Sequence, residues 1–293
     1  MGQLFKKYRE RIEVEIENMI SQMGDKTALR DACEYALKSG GKRLRPLFVL
    51  MISDALGNGL DAIQAALSVE FFHTSSLIAD DLPCMDNDDE RRSRPSLHRA
   101  FEESVALLAS YTFIASGYEG IYKNGRTMKA DPRFRDRADE ATILSLEIAT
   151  RCAGIFGATN GQFLDLFPPD RSLATIQKII EQKTVTLFQI SFAFGWLFGG
   201  GDPALLKEVE KVAYHLGMSF QIGDDLQDQL QDGTNCCEIN IASTLGIEKS
   251  YELFHEEMEQ FVEGLKRLGL WNEEFEKTAD YLYNLVPAAV KLN

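Results

Sequence analysis

Long apolar runs are scarce in this sequence. It contains no stretch of 18 uncharged apolar residues, and its most apolar segment, residues 188–200, is too short to span a bilayer. The uncharged core of a signal peptide is also missing. Lys6, Lys7, Arg9, Glu10, Arg11, Glu13 and Glu15 read instead as a solvated helix face, so a cytoplasmic protein with no membrane span is expected. Cysteine is sparse and odd in number. Cys33, Cys84, Cys152, Cys236 and Cys237 have no spacing that suits a zinc site or a disulfide framework, which leaves free thiols. The four histidines are isolated. Positive charge is in short supply: 31 basic residues against 45 acidic ones give a net charge of −14. That excludes the basic surface nucleic acid requires, but not a local site for an anionic substrate. Strict apolar–polar alternation, the mark of strands, is nearly absent, and no repeat of solenoid length is found.

What is present is helical periodicity. Apolar residues recur at three- and four-residue spacing, as in Leu37, Leu44, Leu47 and Leu50, and again in Ile63, Ala66, Leu67 and Phe71. Breaks fall at Gly40-Gly41, Gly57 to Gly59, Pro83, Asp131-Pro132, Pro168-Pro169, Gly199 to Pro203 and Asp232-Gly233, and none is a long linker. The pattern predicts an all-α protein forming a single domain over residues 1–293.

Two acidic clusters interrupt this pattern, each behind an apolar segment: Asp80-Asp81-Leu82-Pro83-Cys84-Met85-Asp86, and Asp224-Asp225-Leu226-Gln227-Asp228. Asp224 and Asp228 share one helical face at i and i+4. Pro83 disturbs the first helix, and the extra residues can still return Asp86 to Asp80. Bare carboxylates this close repel by roughly several kcal/mol per pair, a cost that a hard divalent cation removes. Magnesium, with oxygen ligands and a bound phosphate, is the natural occupant. Either cluster alone could be a solvated acidic turn; two behind apolar helices argue for a site. Basic residues supply the counterpart: Lys42 and Arg45 after a glycine pair, Arg91-Arg92 after the first cluster, and Lys183-Thr184 further on. Arginine forks and lysine point charges suit a diphosphate.

The stretches GGKRLRP, FFHTSSLIADDLPCMDNDDERRSRPSLHRAF, GQFLDL and FQIGDDLQD, in this order between residues 40 and 228, resemble the short-chain trans-isoprenyl diphosphate synthases, the bacterial farnesyl and geranylgeranyl enzymes. The resemblance implies a helical bundle around a deep central cavity, working as a homodimer. It implies about three magnesium ions, with Asp80 and Asp86 holding two and Asp224 a third, supported by Asp81, Asp225 and Asp228. Lys42, Arg45, His73 and Arg92 would bind the diphosphate of isopentenyl diphosphate. Arg91, Lys183 and the metals would bind an allylic diphosphate (dimethylallyl, geranyl or farnesyl). Thr184 and Gln221 would face the developing allylic cation, with Gln162 and Asp165 lining the same pocket. In this family the position of Ser75 usually carries an aromatic that floors the cavity. Ser75 and Ser76 leave that floor open, and Phe71 and Phe72 would close it deeper, which points to a C20 product before C15.

Some family positions are not met. Segment 231–240 carries no lysine, Glu238 stands where one is expected, Ala79 replaces a histidine, and a Gly-Asp pair gives way near Ser110-Tyr111. The altered segment keeps open a non-catalytic regulatory subunit. A terpene cyclase is disfavoured by GGKRLRP, which cyclases have no second diphosphate to engage.

Overall fold

The computed structural model describes residues 5–232, 240–284 and 286. Among these residues the regular structure is helical, as the periodicity predicts, apart from one short hairpin. The chain divides into two compact units. One comprises Phe5–Leu146 with Leu197–Gly200, and the other Glu147–Trp196 with the described residues from Gly201 onward.

The amino-terminal unit runs through α1 (Lys6–Ser21), α2 (Ala28–Leu37), α3 (Leu44–Ala55) and α4 (Ile63–Asp80). A hairpin of β1 (Glu90–Arg91) and β2 (Arg94–Pro95) follows, then α5 (Leu97–Phe101), α6 (Glu103–Ala130) and the first part of α7 (Arg135–Ala153). Helix α4 is the centre of this unit. Its residues are buried on nearly every face from Ala65 to Ser75, which explains its uniform apolarity. It packs along α6 at close range. A Cβ added to Gly117 would lie 2.5 Å from the Phe72 ring, so only glycine admits this approach. Ser68 donates a hydrogen bond to the Gly117 carbonyl across the same contact.

The carboxy-terminal unit contains the end of α7, then α8 (Ala158–Leu166), α9 (Leu173–Ile180), a π-helical turn (Glu181–Val185) and α10 (Thr186–Phe198) as far as Trp196. After it come α11 (Leu206–Asp232), α12 (Ile241–Leu245), α13 (Ile247–Arg267) and α14 (Glu273–Tyr283). Its core gathers Phe188, Phe192, Phe254, Phe261 and Phe275, all fully buried. Among the described residues one stretch, Arg135–Leu166, is long and apolar enough by length and composition alone to cross a membrane. A turn at 154–157 breaks it into α7 and α8, and core helices pass the same test.

Candidate active site

The amino-terminal unit holds Lys42, Arg45, Phe71, Phe72, His73, Ser75, Ser76, Asp80, Asp81, Asp86, Arg91 and Arg92. The carboxy-terminal unit holds Gln162, Asp165, Lys183, Thr184, Gln221, Asp224, Asp225 and Asp228.

In the first unit α4 ends at Asp80, where Pro83 and its neighbours form a tight loop. The loop closes on itself: Asp86 N donates to the Asp80 carbonyl at 2.9 Å, and Asn87 N to that of Leu82 at 3.1 Å. Residues six apart in sequence are thereby made neighbours. Asp81 takes a different course. It is buried and accepts from Arg91 Nε at 2.9 and 3.2 Å and from Arg91 Nη2, while Asp88 lies 3.4 Å from the same guanidinium. Burial pushes the Asp81 carboxyl up, and the Arg91 hydrogen bond opposes that rise. The hairpin makes this pairing possible. Arg91 faces Arg94 across a turn in which Arg92 (φ 56°) and Ser93 (φ 58°) both adopt left-handed backbone, the requirement of a tight two-residue hairpin. Arg92 donates to the Gly40 carbonyl. A Cβ on Gly41, where φ is 121°, would lie 2.6 Å from the Arg92 guanidinium.

Arg45 Nη1 lies 3.2 Å from His73 Nε2. A guanidinium only donates, so Nε2 accepts and the ring proton sits on Nδ1. Nδ1 is shut off from solvent and has no hydrogen-bond partner among the described residues. Burial, then Arg45 and Arg92, hold the His73 pKa well below the usual imidazole range, so the ring is neutral. Deeper along α4, Ser75 is buried and its hydroxyl is 2.9 Å from that of Ser110 on α6, while Ser110 Oγ donates to the Ser75 carbonyl at 3.1 Å. Phe71 stacks on Phe113 and Phe72 meets Tyr118 edge-on.

In the second unit Lys183 and Thr184 sit on the π-helical turn rather than in a regular helix. Such turns displace side chains from the helical register and recur at functional sites. Lys183 Nζ is 2.6 Å from Asp165 Oδ2 on α8. A hydrogen-bond chain follows: Thr184 Oγ1 donates to Gln221 Oε1 (3.0 Å), and Gln221 Nε2 donates to Asp225 Oδ1 (2.8 Å). Ile241 N donates to Asp225 Oδ2 (2.9 Å). Asp225 is thus buried against protein donors, while Asp224 is half-buried and Asp228 exposed on the same face of α11. A cavity of about 580 Å³ in this unit is lined by Arg151, Cys152, Lys178, Gln182, Gln189 and Tyr214; no predicted site residue lines it.

The donor chemistry fits magnesium. Asp80, Asp86, Asp224 and Asp228 offer hard oxygen ligands. Among the described residues no three carboxylate, histidine or cysteine groups converge as a ready cage. Magnesium keeps its waters and takes one or two carboxylates plus substrate oxygens, so such a cage is not required.

Sequence reasoning missed Arg43, whose guanidinium is buried beneath the GGKRLRP turn, and its partner Glu70, the only charged residue of α4 before Asp80. A lone glutamate in an apolar helix was the available signal. Residues 233–239, including Cys236, Cys237 and Glu238, lie outside the described residues.

The polyprenyl synthetase family model matches residues 26–240. Geranylgeranyl pyrophosphate synthase 4 of Arabidopsis thaliana is 33% identical over 82% of this chain and 63% of that protein. Farnesyl diphosphate synthase of Geobacillus stearothermophilus is 33% identical over 77% of this chain and 74% of that protein. The chain thus spans less than two-thirds of the plant relative's length. A crystal structure of a geranyltransferase from Legionella pneumophila superposes with a TM-score of 0.82 at 27% identity, covering 97% of this chain and 96% of that one. A farnesyl/geranylfarnesyl diphosphate synthase (FPP/GFPP synthase) from Zymomonas mobilis gives 0.81 at 28%, covering 98% and 100%. The chain has the all-α isoprenoid synthase fold and belongs to the polyprenyl synthetase family, the trans-isoprenyl diphosphate synthases.

Proposed function

We propose that this chain is a magnesium-dependent short-chain trans-prenyltransferase, a single domain that joins isopentenyl diphosphate to an allylic diphosphate and makes geranylgeranyl diphosphate, with farnesyl diphosphate second. The observation that carries this reading is the shared construction of the two aspartate pairs. In each, the second aspartate is buried against protein donors, and the first stands more exposed with a further carboxylate brought near it. The names of the relatives support the same chemistry.

In this reading Lys42, Arg45, His73 and Arg92 bind the isopentenyl diphosphate, with neutral His73 held against Arg45. Arg91, aimed by Asp81, and Lys183, held by Asp165, bind the allylic diphosphate, with Gln162 lining its pocket. Asp80, Asp86, Asp224 and Asp228 would hold magnesium, which when bound supplies positive charge against the departing diphosphate as the allylic C–O bond ionises. Asp225 can only accept, so it orients the Gln221 amide, and Gln221 Oε1 takes the Thr184 proton. The Thr184 oxygen therefore keeps its lone pairs for an allylic cation. The isopentenyl double bond attacks that cation, and the released diphosphate accepts the proton lost from the adduct. Three described cysteines, Cys33, Cys84 and Cys152, are free thiols, in keeping with a cytoplasmic setting. A stripe of exposed apolar residues on α6 supports a homodimer.

Purified protein incubated with magnesium, isopentenyl diphosphate and each allylic starter is expected to yield a C20 product, lost with EDTA or on Asp80→Ala. No product from any starter would overturn the reading in favour of a regulatory subunit.

A further inference from the structure

We propose that Arg43 is a positioning residue for isopentenyl diphosphate: it sets Lys42 and Arg45 from beneath without touching the ligand. The proposal rests on the functional reading above. Arg43 stands at the entry to α3 with φ 51° and ψ 31°, a left-handed conformation that residues bearing a Cβ rarely adopt. Its side chain holds it there. The guanidinium is 1% exposed and forks to acceptors from three helices: Glu13 Oε1 on α1 at 3.0 Å, Glu70 Oε1 on α4, and the Leu37 carbonyl ending α2. A lysine presents its donors from one point and cannot span three such acceptors.

The consequence falls on its neighbours. Turning residue 43 inward leaves Lys42 exposed and starts α3 where Arg45 reaches His73. Glu70 and His73 lie one turn apart on α4, so one rigid helix fixes both Arg43 and Arg45. On the other side Arg92 grips the Gly40 carbonyl and crowds Gly41. The turn 40–43 is therefore clamped from both faces, with Arg43 as the inner jaw. A buried ion pair is a poor route to stability, because desolvation offsets most of the attraction. The fixed turn is what this one supplies.

The test is Arg43→Lys, with melting temperature, steady-state kinetics and calorimetric titration of isopentenyl diphosphate in EDTA. The expected result is an isopentenyl diphosphate KM raised about tenfold. The calorimetric affinity should fall in parallel, while the allylic KM stays within about twofold and kcat is retained. Glu13→Gln, which alters only the outermost acceptor (40% exposed), should move the same quantities in the same direction by less. That variant decides the matter if Arg43→Lys does not fold. Unchanged isopentenyl diphosphate affinity in a folded variant, or equal losses for both diphosphates, would overturn the positioning role alone. A wild-type protein that binds no isopentenyl diphosphate would overturn the functional reading, and this inference with it.

Discussion

Adjacent aspartates in this chain have opposite fates because successive helical residues point about 100° apart. Asp80 and Asp224 are half-buried, whereas Asp81 and Asp225 turn inward to hold Arg91 and Gln221. The family resemblance already sets Asp80 and Asp224 apart from supporting Asp81 and Asp225, but what the second members hold, Arg91 and Gln221, becomes legible only once the register is known. His73 shows the same dependence on surroundings and allows a sharp prediction. Its folded pKa is depressed, so below the unfolded value near 6.5 the unfolded chain binds a proton that the folded chain refuses. Stability from this group is therefore present above about pH 6.5 and falls as pH drops, with a limiting slope of about 1.4 kcal/mol per pH unit. Urea titrations from pH 7.5 to 5 should show this loss in the wild type and a smaller loss in His73→Asn. Identical pH profiles would mean that the ring protonates freely.

At the scale of elements, three- and four-residue apolar spacing made the helices readable, and Pro and Gly marked most of their ends. The hairpin carrying Arg91 was not readable, because two paired residues leave no alternation to detect. Nor was the π-helical turn beneath Lys183, since a one-residue insertion in the helical register has no composition of its own. Helix α4 shows how far a correct reading still needs its neighbour. Ser75 was expected to leave space. In the structure Ser75 is buried and paired with Ser110 on α6, and Phe113 stacks on Phe71 one turn back. Placing a ring at position 75 would displace the serine pair and raise the floor. On the proposed C20 product, Ser75→Phe is expected to shorten the main product by one isoprene unit to C15, as read by chromatography. An unchanged product length would move the floor away from α4.

For the whole molecule, charge and apolar surface pull in different directions. A net charge of −14 makes two copies repel at long range, although salt screens that repulsion within about 10 Å. Association therefore needs an uncharged contact. Helix α6 offers one, with no charged residue between Glu103 and Glu119. Its exposed Leu107, Leu108, Tyr111, Ile114 and Tyr122 recur at helical spacing, and Ile143 and Leu146 of α7 are exposed as well. So long an apolar stripe is unusual on a monomer. Tyr111→Glu places a charge on this stripe at an exposed position. Sedimentation velocity should show the wild type as a dimer and Tyr111→Glu shifted toward monomer, with the melting transition becoming concentration-independent. Were the wild type to sediment as a monomer, the homodimer would fall while the chemistry assigned to each unit stood. A dimer indifferent to Tyr111→Glu would place the contact on another face.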